Sequence, residues 1–314
     1  MGLKTNTTSD SKNLRIGVIL SSGGARGVFA HTGFLQALEQ LNIEVVALAG
    51  CSAGALVGGI YASGTSIDKW SSVLADTQPR DYWRPDSKLR FLWNLIVKKG
   101  RGYTGFSKAD SAINFIRKQL SAETFAECRI PFYSLAMNLS CSKKTFFADG
   151  ELAPRIMASA AIPLLYRPVE INGEFYSDGA TLDLAPTDAI CCKHKLDILI
   201  VHHVAIHCQG QAGLQHVISQ PWTILQILFL QLYSEKPWYL IDKPINETYC
   251  QCGCGALVLV LKPDLPELGW PMRGDGLTVQ RSAREQGVLM LEKLMEKWGK
   301  NSAPPSKTGS MSSD

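Results

Sequence analysis

The chain has 314 residues, 46% of them hydrophobic and 19% charged, a globular composition with enough apolar side chains for one large core or two smaller ones. Its net charge of +4 is too small to demand a nucleic-acid partner. Met1–Asn13 is polar, without the apolar core of a secretory leader, and the nine scattered cysteines read as reduced thiols, so the expected location is cytoplasmic, at most peripheral to a membrane.

Residues 1–13 and 300–314 lack periodic apolar positions and read as disordered tails around one domain, 14–299. Leu14–Leu20 is a buried strand. The turn Ser21-Ser22-Gly23-Gly24-Ala25-Arg26-Gly27 opens a helix through Gln40, with Phe34, Leu35, Leu38 and Leu41 at helical spacing. A second strand, Glu44–Ala49, leads into Gly50-Cys51-Ser52-Ala53-Gly54 and a small-residue helix, Ala55–Tyr61. Strands alternating with helices predict a mainly parallel sheet covered on both faces. Ser66–Gln119 reads as mainly helical. Further strands are expected at Pro131–Asn138, Lys144–Ala148, Lys195–Val204 and Ala256–Leu261, with a helix at Glu151–Ala160. The last helix, Val279–Trp298, places Val288, Leu289, Leu291, Leu294, Met295 and Trp298 on one broad face. The apolar stretch Thr223–Tyr233 is interrupted by Gln226 and Gln231. Its eleven residues reach about 16 Å as a helix, short of a roughly 30 Å bilayer core, so it reads as core or acyl-pocket wall.

Gly-x-Ser-x-Gly at a strand-to-helix turn is the geometry that exposes a serine hydroxyl as a nucleophile. Such a serine needs a base, and its tetrahedral intermediate needs donors. The glycine turn offers backbone N–H groups at a helix N-terminus, and Ala53, just after Ser52, offers another. No Lys-Ser/Thr pair follows Gly27, so the turn is not a P-loop. If both turns lie at the C-terminal edge of adjacent parallel strands, they face each other across the crevice where such sheets bind ligands. Two kinds of base are open. Asp178 stands in the turn Asp178-Gly179-Ala180, and His202, His203 and His207 follow it in the Ser…Asp…His order of α/β-hydrolases.

Ser22-Gly23-Gly24-Ala25-Arg26-Gly27, Ala30-His31-x-Gly33, Gly50-x-Ser52-x-Gly54, Ala158-Ser159-x-Ala161-Ile162-Pro163 and Asp178-Gly179-Ala180 occur in that order. Together they resemble the successive motifs of the patatin-like phospholipases, in particular the small single-domain bacterial members, over residues 14–299. The resemblance implies a three-layer α/β/α fold with a mainly parallel central sheet and a Ser–Asp dyad without histidine. It makes Ser52 the nucleophile, Asp178 the general base, and Gly23, Gly24, Ala25 and Arg26 the oxyanion loop. Ser22 stands where the family's glycine run usually begins, and Ala180 where glycine is frequent. Asp149-Gly150 lacks the preceding apolar run and precedes the Ala158–Pro163 motif, so Asp178 is the preferred aspartate.

The expected function is a serine lipid acyl hydrolase of phospholipase A or lysophospholipase type, acting through an acyl-enzyme on a phospholipid or other acyl-ester lipid. The alternatives are a thioesterase or acyltransferase on the same fold, or a catalytically quiet lipid-binding module. No metal or organic cofactor is assigned, and no acidic loop of calcium-binding type is present. Cys250-x-Cys252-x-Cys254 aligns three thiols on one face if extended, but with tighter spacing than usual zinc sites and no fourth ligand in view. Arg26 is poised either to attract a lipid phosphate or to pack on its helix start. Between Arg80 and Arg101 seven Lys/Arg face two Asp, a local +5 that leaves the rest of the chain at −1. The segment 80–103, with Leu92, Trp93 and Ile96 beside Lys98, Lys99 and Arg101, is accordingly a candidate lid or membrane-docking element.

Overall fold

The computed structural model describes residues 14–204, 223–233, 238–241, 243–268 and 275–300, together with Gln215 and Ser219. The two tails expected over 1–13 and 300–314 lie outside this set apart from Lys300, and so does His207. The first half of the chain runs β1 (Ile16–Leu20), α1 (Gly24–Gln40), β2 (Val45–Cys51), α2 (Ala53–Ala62), α3 (Ile67–Asp76), α4 (Pro79–Tyr82), α5 (Lys88–Leu92), β3 (Gly105–Ser107), α6 (Asp110–Gln119) and β4 (Phe132–Asn138). The second half runs β5 (Lys143–Phe147), α7 (Leu152–Ser159), β6 (Leu164–Tyr166), β7 (Val169–Ile171), β8 (Glu174–Asp178), β9 (Ile198–His202), α8 (Thr223–Leu232), β10 (Ile245–Tyr249), β11 (Leu257–Leu261) and α9 (Gly276–Lys300).

The main sheet has the order β10-β11-β9-β1-β2-β4-β8-β7, with β5 on the free edge of β4, while β3 and β6 form a separate parallel pair. Its centre, β11-β9-β1-β2-β4, is parallel, as expected. Both ends turn antiparallel through hairpins. Alternate residues of the central strands enter different cores, as the two-residue pleat requires. Val18, Leu20, Leu48, Ile200 and Leu259 join the large cluster beneath α1, α2, α7 and α9. Ile19, Ala47, Ala49, Val201 and Val258 join the second cluster, closed by Ala185, Ile190, Cys191, Leu196 and Tyr239. This third layer is therefore built largely from the segment after β8.

One register relation positions the site. β2 pairs with the first half of β4, ending at Cys51 opposite Leu135. β8 pairs with the second half, beginning with Asp178 opposite Ala136. β5 pairs with residues in both halves, so it holds the other edge, and β2 and β8 share one edge. Because β8 runs antiparallel to β4, the C-terminal ends of β2 and β8 meet head to head.

Several elements differ from the sequence reading. β2 extends two residues into the glycine-serine motif, because Gly50 pairs with Leu20 and Cys51 with Leu135. β3, β6, β7, β8 and β10 were not anticipated; the first three have only three residues each, too short to display a period. The buried stripe of α9 is Val279, Ala283, Gly287, Leu291 and Leu294, whereas Leu289 and Met295 are exposed. The stripe is narrow because it packs mainly on one helix, α1, across small residues: Gly287 rests against Phe34 and Ala37. Among the described residues no helix is long and apolar enough to cross a membrane.

Candidate active site

Ser52 stands between β2 and α2 with φ 53° and ψ −114°, a left-handed conformation that a non-glycine residue adopts only where its surroundings enforce it. The enforcement is visible. Gly54 is pressed against the end of β1 so closely that a Cβ would run into the Leu20 carbonyl. Leu56 N–H closes the first helical turn on the Ser52 carbonyl at 3.0 Å, and Ser52 N–H donates to Ser159 Oγ at 2.9 Å. The hydroxyl is thereby aimed at the end of β8, where Ser52 Oγ donates to Asp178 Oδ2 at 2.8 Å.

Asp178 is fixed on every side. Its N–H donates to the Ala161 carbonyl at 3.0 Å, and its Oδ1 accepts the Ala180 N–H at 2.9 Å. Its carbonyl accepts the Thr181 hydroxyl at 2.9 Å. Ser52 and Asp178 are 3% and 1% exposed, so the carboxylate is stripped of water. Burial raises its pKa to about 7, against the opposing pull of the Ala180 and Ser52 hydrogen bonds. A carboxylate so placed is a far stronger base than one in water.

The glycine turn lies beside this pair. Gly23 caps α1, and Gly24, Ala25 and Arg26 form its first turn, whose N–H groups lack intrahelical acceptors by construction. Gly27 N–H is already committed to the Gly23 carbonyl at 2.8 Å. The turn abuts the serine elbow, since a Cβ on Gly27 would fall 3.0 Å from that of Ala53. Ala53 is the first residue of α2, so its N–H too lacks a helical acceptor. The Arg26 guanidinium donates to the Pro266 carbonyl at 3.0 Å and the Leu265 carbonyl at 2.9 Å. It braces the segment before α9, which favours the packing role over the capture of a lipid phosphate.

The histidines fall elsewhere. His31 Nε2 is 2.7 Å from the Ser21 carbonyl and must donate to it, which leaves its Nδ1 to accept from His202 Nδ1 at 2.8 Å. His202 also stacks on Phe34, with ring centroids 4.2 Å apart. Desolvation lowers both imidazole pKa values, that of His31 to about 3, so the pair is neutral. His202 is thus a core brace beneath the glycine turn. His203 is buried, with its ring 6.0 Å from that of Tyr239. Asp149 follows β5, precedes α7 and is exposed.

Two contributors escaped the sequence reading, and a third was expected only as the end of the apolar stretch Thr223–Tyr233. Ser159 lay inside a quoted motif but had no assigned role. Ser21 accepts the Val204 N–H at 2.9 Å on its hydroxyl and donates to the Ser22 carbonyl at 2.7 Å, locking the start of the glycine turn. Tyr233, just after α8, packs on Cys51, Leu135, Ala180 and Leu184. Its hydroxyl is buried without a hydrogen-bond partner among the described residues, and burial together with the charge of Asp178 raises its pKa. Only the helical apolarity of 223–233 hinted at this wall. The turn after Asp178 is tied back as well: Leu184 O accepts the Ser22 N–H at 2.7 Å, and Lys144 Nζ binds Asp183 at 2.6 Å and Asp188 at 2.7 Å.

A family model described as patatin-like phospholipase matches residues 18–190, which contain the glycine turn, Ser52, Ser159 and Asp178. The chain belongs to that family. Among curated patatin-like relatives, an uncharacterized NTE family protein of Mycobacterium tuberculosis is 31% identical over 176 residues, covering 56% of this chain and 45% of that protein. A lysophospholipase of Cryptococcus neoformans is 28% identical over 187 residues, 60% of this chain and 11% of that protein. The chain thus spans less than half the length of these relatives. Human GIVD cytosolic phospholipase A2 superposes with a TM-score of 0.56 at 8% identity, over 92% of this chain and 62% of the human one. That likeness supports the patatin-like three-layer architecture, with helices about a sheet whose central strands are parallel.

Proposed function

We propose that the protein is a serine lipid acyl hydrolase of the phospholipase A or lysophospholipase type. The observation that carries this reading is the 2.8 Å hydrogen bond from the Ser52 hydroxyl to the buried Asp178 carboxylate. As Ser52 Oγ attacks the ester carbonyl, its proton passes to Asp178. The oxyanion forms beside the first turn of α1 and the start of α2, where N–H groups of residues 23–26 and Ala53 stabilise it. Collapse expels the alcohol, which takes the proton from Asp178, and leaves an acyl-serine. Water, deprotonated by Asp178, then attacks that ester, and Asp178 returns the proton to Ser52 Oγ as the fatty acid leaves. Membership of the family and the lysophospholipase name of one relative support a phospholipid or lysophospholipid substrate.

A second feature supports action at a lipid surface. Leu89, Leu92, Trp93, Leu95, Ile96 and Val97 are 47–80% exposed on α5 and the π-helical turn Trp93–Val97 that continues it. Lys88, Arg90, Lys98, Lys99 and Arg101 flank them and are exposed too. Apolar side chains framed by cations suit insertion beneath anionic headgroups. The segment is anchored to the stretch that follows Ala161, whose carbonyl accepts the Asp178 N–H: Asp86 pairs with Arg167, Trp83 Nε1 donates to the Leu165 carbonyl at 3.4 Å, and β3 pairs with β6.

Hydrolysis of a p-nitrophenyl acyl ester and of lysophosphatidylcholine tests the chemistry. Ser52→Ala and Asp178→Asn abolish both, His203→Ala retains them, and a fluorophosphonate labels Ser52. An inactive histidine variant beside an active Asp178→Asn overturns the dyad. Absence of labelling in the folded wild type points to a quiet lipid-binding module. Co-sedimentation with vesicles containing phosphatidylserine tests the surface, with loss of binding expected in a Lys98→Glu/Lys99→Glu/Arg101→Glu variant.

A further inference from the structure

The cysteines of the β10–β11 turn converge on a partner that the spacing of the sequence could not supply. Residues 250–256 are not extended. They curl back, with Cys250 N–H donating to the Ala256 carbonyl at 3.0 Å and Gly253 N–H to the Cys250 carbonyl at 3.2 Å. Gly253 and Gly255 adopt φ of 76° and 82°, which lets Cys252 and Cys254 turn inward beside Cys250. Cys191 approaches from the segment between the short helical turn Thr187–Ala189 and β9. Its Sγ lies 2.7 Å from that of Cys250, 3.2 Å from Cys252 and 3.9 Å from Cys254. Cys250 and Cys252 are 3.0 Å apart, and all four sulfur atoms lie within 4.8 Å of one another.

We infer that Cys191, Cys250, Cys252 and Cys254 form a structural zinc site, which replaces the expectation that the chain carries no metal. Three considerations favour this ion. Four thiols converging on one point match a single tetrahedral centre: zinc–sulfur bonds of about 2.3 Å place ligand sulfurs roughly 3.8 Å apart, close to the 3.9 Å between Cys191 and Cys254, while the three shorter separations would open by about 1 Å or less around the ion. An iron–sulfur cluster, whose thiolates bind different irons, requires wider spacing. No pair is near the roughly 2.05 Å of a disulfide, and a disulfide would engage two sulfurs and leave the other two crowded against it. Zinc displaces one proton from each thiol, so four thiolates and one Zn²⁺ give a centre of net charge −2 with no change of oxidation state. Cys192, whose Sγ is 3.5 Å from that of Cys191, stands just outside the four as a spare thiol.

The site has a structural task. Cys191 and Cys250 are buried in the second core cluster, whereas Cys252 and Cys254 are exposed at the tip of the turn. The ion would clamp the edge hairpin β10–β11 to the segment that begins at Asp178 and covers that face of the sheet. This inference is independent of the catalytic reading, because none of the four cysteines touches Ser52 or Asp178.

The test is metal content. Full-length protein purified under reducing conditions without added metal should carry one zinc per chain. Titration of the wild type with an organomercurial should release one equivalent, read with a zinc chromophore, and chelation should lower the melting temperature. Cys252→Ser and Cys254→Ser should lose most of the zinc, while Cys128→Ser and Cys141→Ser, whose thiols lie elsewhere, should keep it. Wild type that is metal-free with all its thiols reactive overturns the inference. So does a mass two protons lighter for each disulfide, or iron accompanied by acid-labile sulfide. Release from the wild type does not depend on whether any variant folds.

Discussion

Ser159 Oγ accepts the backbone N–H of Ser52 at 2.9 Å, so the strained residue at the elbow is held from α7, across the sheet edge. Ser159 touches no reacting atom in the proposed chemistry and is a positioning residue. Ser159→Ala strands a buried N–H, at a cost of about 1–3 kcal/mol. The expected result is a kcat lowered by about tenfold or more with little change in KM, the pattern of a misplaced nucleophile. Ser159→Thr, which keeps the acceptor, should recover part of the loss. Equal activity in Ser159→Ala would remove the role.

Much of this site was legible because its parts are local. Strand, glycine turn and helix follow one another within residues 14–62, and each announces itself by composition or period. Ser159, His202 and Cys191 were not legible, because their partners Ser52, His31 and Cys250 are 107, 171 and 59 positions away. Such pairings depend on strand order, which a single sequence does not display. The head-to-head meeting of β2 and β8 was hidden for the same reason. The orderly face expected on α9 failed differently: apolar spacing reveals that a helix has a buried side, not how wide its neighbour is.

The raised pKa of Asp178 makes two pH-dependent outcomes. Asp178 must be ionised to accept a proton, so kcat/KM should rise with pH through about 7 and then level off. For stability the sign is opposite. The unfolded carboxyl ionises near 4 and the folded one near 7, so the stabilisation is full below pH 4 and lost as pH rises to 7. Asp178→Asn should therefore melt higher than wild type at pH 8, by up to about 2–4 kcal/mol, with the gap closing towards pH 4. Calorimetry across that range checks it.

The neutral His31–His202 pair acts on the acid side. Folded His31 resists protonation down to about 3, whereas its unfolded form titrates near 6.5. Stability contributed by each buried imidazole is present above pH 6.5 and lost as pH falls towards 3. His202→Phe should remove one such group, flattening the acid limb below pH 6.5 by up to about 1.4 kcal/mol per pH unit. Ester hydrolysis at pH 8 should survive, because the proposed base is Asp178.

Two glycines should respond oppositely to alanine. Gly54→Ala drives a methyl into the Leu20 carbonyl, and backbone cannot move aside within a paired strand. Loss of soluble, folded protein is expected. Gly24 has φ +55° but open space around its missing Cβ, so Gly24→Ala should cost only about 1 kcal/mol of stability. Denaturant midpoints for both variants would decide it, and a well-folded Gly54→Ala would contradict the packing described.

Cys51 and Asp178 occupy successive rungs on one edge of β4, opposite Leu135 and Ala136. The spacing of Ser52 and Asp178 is therefore metered by one peptide step of a strand already paired on its other side. Of the 126 positions separating them in the chain, the loops outside β4 and the Ser159–Ala161 stretch do not enter that ruler. Insertions or deletions in the loops between could accumulate over evolutionary time while the two oxygens kept their distance. An engineer could exploit the same freedom, grafting new substrate-binding loops between α2 and β8 without re-tuning the reactive pair.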